Sequence, residues 1–132
     1  MTLESEVGKF EGLANDVLNL DNRMISCTII RNPQGATIAR VVRSEFQQSL
    51  GKPLDGTNGM AAHWGILAFN AMERLDTVRS KAKYLAIARE DNKTLIFPLD
   101  ESRSLMIILT ITNDSEATEM YEMAMRLVST KY

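Results

Sequence analysis

A single cysteine, Cys27, in 132 residues excludes an intrachain disulfide, a redox thiol pair and any two-cysteine metal motif. Its expected role is that of a small buried apolar residue. A single histidine, His63, is equally restrictive: no His-x-x-x-His, His-Glu-x-x-His or calcium-loop spacing occurs, and no serine or cysteine stands in a motif that would make His63 its base. Charge of one sign is also missing, because 15 basic and 17 acidic residues leave a net −2. No global field gathers a nucleic acid or an anionic membrane, so neither is an expected partner. The longest apolar run, Leu105 to Ile111 with Thr110 inside it, is too short for membrane insertion. Met1-Thr2-Leu3-Glu4 opens no basic-then-apolar leader, so the expected location is cytoplasmic and the Asn92-Lys93-Thr94 and Asn113-Asp114-Ser115 sequons are read as chance.

Phosphate and carboxylate chemistry fare no better. Gly51-Lys52 has the end of a phosphate loop, but Phe46 stands at the first glycine position and Pro53 at the hydroxyl position. Asp55, Glu73, Asp76 and Asp91 are read as scattered, solvated carboxylates rather than a pair between apolar walls. Arg74, Arg79, Lys81 and Lys83 cluster where a helix ends, complementing its dipole. No cofactor, metal or catalytic residue is expected, and the chain is read as a binding module rather than an enzyme.

What is present is pattern. A 45% apolar content supports one core, hence one domain over 1–132. Leu3, Val7, Phe10, Leu13, Ala14 and Val17 recur at helical spacing over Thr2 to Leu18, with Gly8 and Gly12 weakening the helix. Met24 to Arg31 and Ala36 to Val42 read as strands joined by the Asn32-Pro33-Gln34-Gly35 turn. Arg43 to Gly59, punctuated by Gly51, Pro53, Gly56 and Gly59, reads as a connection, after which Asn58 caps a long helix reaching Val78. Its inward stripe is expected at Met60, Ala61, Trp64, Leu67, Ala68, Ala71, Leu75 and Val78. Three strands follow, Ala82 to Arg89, Thr94 to Leu99 and Ser104 to Thr112, joined by the short polar links 90–93 and 100–103 that suit antiparallel neighbours. The last is apolar on both faces, as a central strand covered on both sides must be. A final helix is expected from Asn113, with Glu116 closing a capping box, to Thr130.

The order α-ββ-α-βββ-α, with its long helix between a hairpin and a three-strand meander, resembles the dynein light chain roadblock family from Leu3 to Val128. The resemblance implies an α+β fold with a five-stranded antiparallel sheet between one long helix and two terminal helices. It also implies a homodimer or a heterodimer with a paralogue, acting as a scaffold or regulator of a small Ras-like GTPase.

The residues carry a hint of association on their own. With Trp64 at the centre of the buried stripe, Ala62, Ile66 and Phe69 fall on the opposite side of the helix as an apolar patch flanked by Gly59 and Gly65. Asn70, Glu73 and Thr77 supply its polar rim. Tyr84 to Ala88, with Tyr84, Ala86 and Ala88 as its edge residues, has no charge or proline to blunt a sheet edge. A competing reading is a metabolite sensor with Met60, Met72 and Met106 lining a pocket under the central helix.

Overall fold

The computed structural model describes residues 3–32, 35–46, 54–78 and 80–131, with side chains described except at 3–6, 46 and 54–62. The order of elements is α1 (Leu3–Leu18), β1 (Met24–Arg31), β2 (Ala36–Val42), a 3-10 turn at Ser44–Phe46, α2 (Leu54–Val78), β3 (Leu85–Ala88), β4 (Asn92–Pro98), β5 (Leu105–Thr112) and α3 (Ala117–Lys131). The strands form one sheet in the order β2-β1-β5-β4-β3, and all four pairings are antiparallel. This is the α+β architecture expected from the order of elements.

Period-two alternation divides β5 between two cores. Leu105, Ile107, Leu109 and Ile111 pack with Phe10, Leu13, Ala14 and Val17 of α1 and with Met120, Ala124 and Val128 of α3. Met106 and Ile108 face the other way, onto Ile30, Ile96, and Ala68 and Met72 of α2. β5 is therefore the central strand, buried on both faces, and β2 and β3 are left as the edges.

Element boundaries and one link depart from expectation. The connection before the long helix is shorter than its glycines imply: α2 begins at Leu54, so Asn58 lies within it rather than at its cap. A glycine costs a helix only about 1 kcal/mol, which tertiary packing overrides. β3 is only four residues, because 81–84 carry no ladder. α3 starts at Ala117, since Thr112, Asp114 and Ser115 bond among themselves and Asn113 donates to the Glu90 carbonyl instead of capping. Arg43, the first residue of the expected polar connection, staples α1 to β1: its guanidinium donates to the carbonyls of Leu18, Asp21 (2.9 Å) and Met24 (2.9 Å). Those donations satisfy a carbonyl that the last turn of α1 leaves without a helical partner.

Candidate interaction surface

The phase of α2 decides which residues face out. Among its described side chains the buried positions are Gly65, Ala68 and Met72, not a stripe centred on Trp64, which is only half-buried. A Cβ at position 65 would fall 1.7 Å from Ile30 Cδ1 and 3.1 Å from Ile30 Cγ1, so the helix backbone rests directly on the sheet there. Gly65 thus serves the core rather than flanking an outer patch. The rotated phase turns Leu67, Leu75 and Val78 out of the core to which periodicity assigns them; Val78 is 76% exposed and Leu75 49%.

Two outward stripes result. Leu67, the half-buried Ala71, Leu75 and Val78 recur at four, four and three residues along one flank. Ile66, Asn70, Glu73 and Thr77 recur at four, three and four along another, with Phe69 half-buried beside them. The side chains of Ala62 and Met60 and the Gly51-Lys52 segment fall outside the described residues. Met72 and Met106 are fully buried and pack in the core under α2.

β3 is an edge strand with two faces of different character. Leu85 and Ile87 pack partly into the α2 core, while Ala86 and Ala88 are exposed. Tyr84, just before the strand, is engaged on α3: its ring lies 4.7 Å from that of Tyr121, and its hydroxyl is 2.6 Å from Thr118 Oγ1. Leu75 and Val78 at the end of α2 and Ala86 and Ala88 on β3 are thus exposed apolar residues at the two ends of one short stretch of chain; the two alanines lie on the sheet face opposite α2, and β3 presents the outer row of backbone groups of an edge strand.

The residue that sequence reasoning misses is Arg103. Pattern alone puts it in a polar link, yet it is 3% exposed and adopts φ 60°, a left-handed conformation that costs a non-glycine residue of order 1–3 kcal/mol. Its Nη1 lies 2.8 Å from Asp76 Oδ2 and 3.6 Å from Glu73 Oε2, and its Nη2 donates to the Ala82 carbonyl at 3.2 Å. Its own carbonyl accepts from Asn32 Nδ2 at 3.2 Å. Asp76 is therefore no solvated carboxylate. Hydrogen bonds from Arg103 and from the Ala82 amide hold its carboxyl below the usual range. The only advance signal is an arginine in the short link just before a largely apolar strand, which belongs to no motif.

His63 is exposed, with its ring 6.1 Å from that of Trp64. Cys27 is fully buried, and desolvation pushes its thiol up to about 12. Among the described residues no cluster of three or more His, Cys, Asp or Glu could hold a metal, and no helix is long and apolar enough to cross a membrane.

No family model matches the chain, and no curated protein matches it by sequence. Solved structures do match it in shape. A Roadblock/LC7 domain from Streptomyces avermitilis superimposes with a TM-score of 0.69 at 9% identity, covering 91% of this chain and 92% of that one. MglC from Myxococcus xanthus gives 0.61 at 15% identity over 93% and 96% of the two chains. The gliding protein MglB from Thermus thermophilus gives 0.62 at 11% identity over 95% and 92%. With near-complete mutual coverage, and with the order α-ββ-α-βββ-α built around one five-stranded antiparallel sheet, the chain has the Roadblock/LC7 fold.

Proposed function

We propose that the chain is a non-catalytic, self-associating interaction module that regulates or scaffolds a small Ras-like GTPase. The observation that carries the association is the edge strand β3, unblunted by charge or proline, together with the exposed Leu75 and Val78 at the end of α2. A second copy pairing along β3 satisfies the outer backbone groups of that edge and covers the Leu67, Leu75 and Val78 flank. Ala86 and Ala88 offer small side chains that let the two edges approach. Ile66, Phe69, Asn70, Glu73 and Thr77 then remain on a separate flank, an apolar centre with a polar rim that suits a second partner. The GTPase reading rests on the roadblock resemblance, and the shared fold of the Roadblock/LC7 domain and the gliding protein MglB supports it.

The test has two arms. Light scattering at tens of micromolar, on the order of weak specific affinities, should find a dimer. Leu75→Asp should yield a folded monomer, because a charge would enter a desolvated contact. A monomeric wild-type chain refutes the association. Titration with candidate GTPases loaded with GTP or GDP tests the second flank: Ile66→Asp should abolish binding while leaving the dimer intact. Affinity no tighter than about 1 mM, equivalent to only about −4 kcal/mol, removes the GTPase from the reading.

A further inference from the structure

We propose that Arg103, which lies behind the association surface rather than on it, is the residue that positions that surface. The proposal rests on the association reading above. Its basis is a closed ring of interactions joining three parts of the chain that are distant in sequence. Arg103 belongs to the turn between β4 and β5, Asp76 to the last turns of α2, and Ala82 to the ladder-free segment that enters β3.

Ala82 is held from both sides by the same ion pair. Its N–H donates to Asp76 Oδ1 at 2.7 Å and its carbonyl accepts from Arg103 Nη2 at 3.2 Å, while Arg103 Nη1 and Asp76 Oδ2 are 2.8 Å apart. The backbone of Ala82 thus obtains from two side chains what a sheet ladder would otherwise give it. Continuing the β3–β4 register beyond Leu85↔Ile96 sets Lys83 opposite Pro98, which has no N–H to donate. The ladder begins only at Leu85, and the ion pair secures the chain before it.

The elements so fixed are the two that present the surface. Leu75 and Val78 flank Asp76 on α2, and Ala82 stands three residues before β3. The turn carrying Arg103 is itself anchored to the opposite half of the sheet, because the Arg103 carbonyl accepts from Asn32 Nδ2 and the Ser104 carbonyl accepts from the Asn32 N–H at 2.8 Å. Arg103 therefore ties the helix end and the edge strand to a common rigid point. Losing it leaves Leu75 and Val78 free to shift relative to the β3 edge, and two copies docking through both must then order that segment as they bind.

The groups facing the guanidinium are Asp76 and Glu73 from α2 and the Ala82 carbonyl from the β3 approach. Glu73 lies farther away and is largely exposed, so its removal should matter little. Planarity and the number of donors matter as well as charge, because one guanidinium serves a carboxylate and a carbonyl together.

The experiment measures the dimer dissociation constant of the full chain by sedimentation equilibrium, alongside backbone amide exchange. Arg103→Met is expected to remain folded by circular dichroism, to weaken the dimer about ten-fold or more (~1.4 kcal/mol), and to speed exchange at Ala82 and across β3 while leaving β1 and β5 protected. Arg103→Lys keeps the charge but loses the fork that reaches Asp76 and the Ala82 carbonyl together, so it is expected to fall between Arg103→Met and the wild type, and Glu73→Gln to match the wild type. A folded Arg103→Met protein with wild-type affinity and wild-type exchange at Ala82 overturns the proposal, as does an Arg103→Lys protein no better than Arg103→Met. Should Arg103→Met fail to fold, Asp76→Asn, which keeps an acceptor for the Ala82 N–H, must show the same weakened dimer and local exchange, or the proposal fails. Unchanged exchange at Ala82 refutes the positioning role alone, whereas a monomeric wild-type chain refutes the association on which it rests.

Discussion

Replacing Gly65 with alanine separates a glycine that the core requires from glycines that it does not. In an open helix, Gly→Ala gains about 1 kcal/mol from backbone entropy and propensity. At position 65 the new methyl would lie 1.7 Å from Ile30 Cδ1 and 3.1 Å from Cγ1, with Ile30 itself fully buried. Ile30 must leave its rotamer or α2 must lift, and such overpacking typically costs about 1–3 kcal/mol. Gly65→Ala alone should therefore be neutral to destabilising by about 2 kcal/mol once the propensity gain is subtracted. Ile30→Val removes the nearer of the two atoms and by itself should cost about 0.5–1.5 kcal/mol. In that background Gly65→Ala should become stabilising, so a double-mutant cycle by urea denaturation should show a favourable coupling of about 1–2 kcal/mol. Gly8→Ala and Gly12→Ala are the controls, since an added Cβ meets nothing within 4 Å at either position. Each should gain up to about 1 kcal/mol. If Gly65→Ala stabilises the wild-type chain as much as the controls do, α2 does not rest on Ile30 and the assigned phase of the helix is wrong.

Asp21 offers a pH test. Bidentate hydrogen bonds from the Arg23 guanidinium, 2.9 and 2.8 Å, and one from the Arg23 N–H lower its carboxyl from 3.8 to about 2. A depressed carboxyl contributes stability in full above its unfolded value and loses it as pH falls toward the folded value. The advantage of wild type over Asp21→Asn in urea midpoint should therefore shrink between about pH 4 and pH 2; a constant difference across that window contradicts the pairing. Cys27, buried and with its thiol pushed up to about 12, should react with a water-soluble disulfide reagent only at the rate of unfolding, and rapid labelling of the native chain would refute its burial.

The fold is legible in the sequence because its signals are local. The alternation of Leu105 to Ile111 marks a strand buried on both faces, short polar links force antiparallel neighbours, and the turn ending at Gly35, whose φ is 72°, closes the first hairpin. Spacing along one chain carries that information. The surface is legible only in part. Helical period turns Ile66, Asn70, Glu73 and Thr77 outward, as the structure does, but a helix apolar on several sides has more than one admissible phase, and the sequence favours Trp64 as its inward centre. Tertiary contact chooses otherwise: the close approach to Ile30 needs the missing side chain of Gly65, and that rotates Leu67, Leu75 and Val78 into solvent. The fate of Arg103 is likewise invisible, because its partners Asp76 and Ala82 lie far off in the chain and nothing in local pattern pairs them. The sequence by itself determined which segments form strands and helices and how neighbours connect, since those depend on period and turn chemistry. Only the tertiary structure decided which side of α2 meets the sheet and which charge is buried, since both are settled by steric fit and desolvation between residues far apart in the chain.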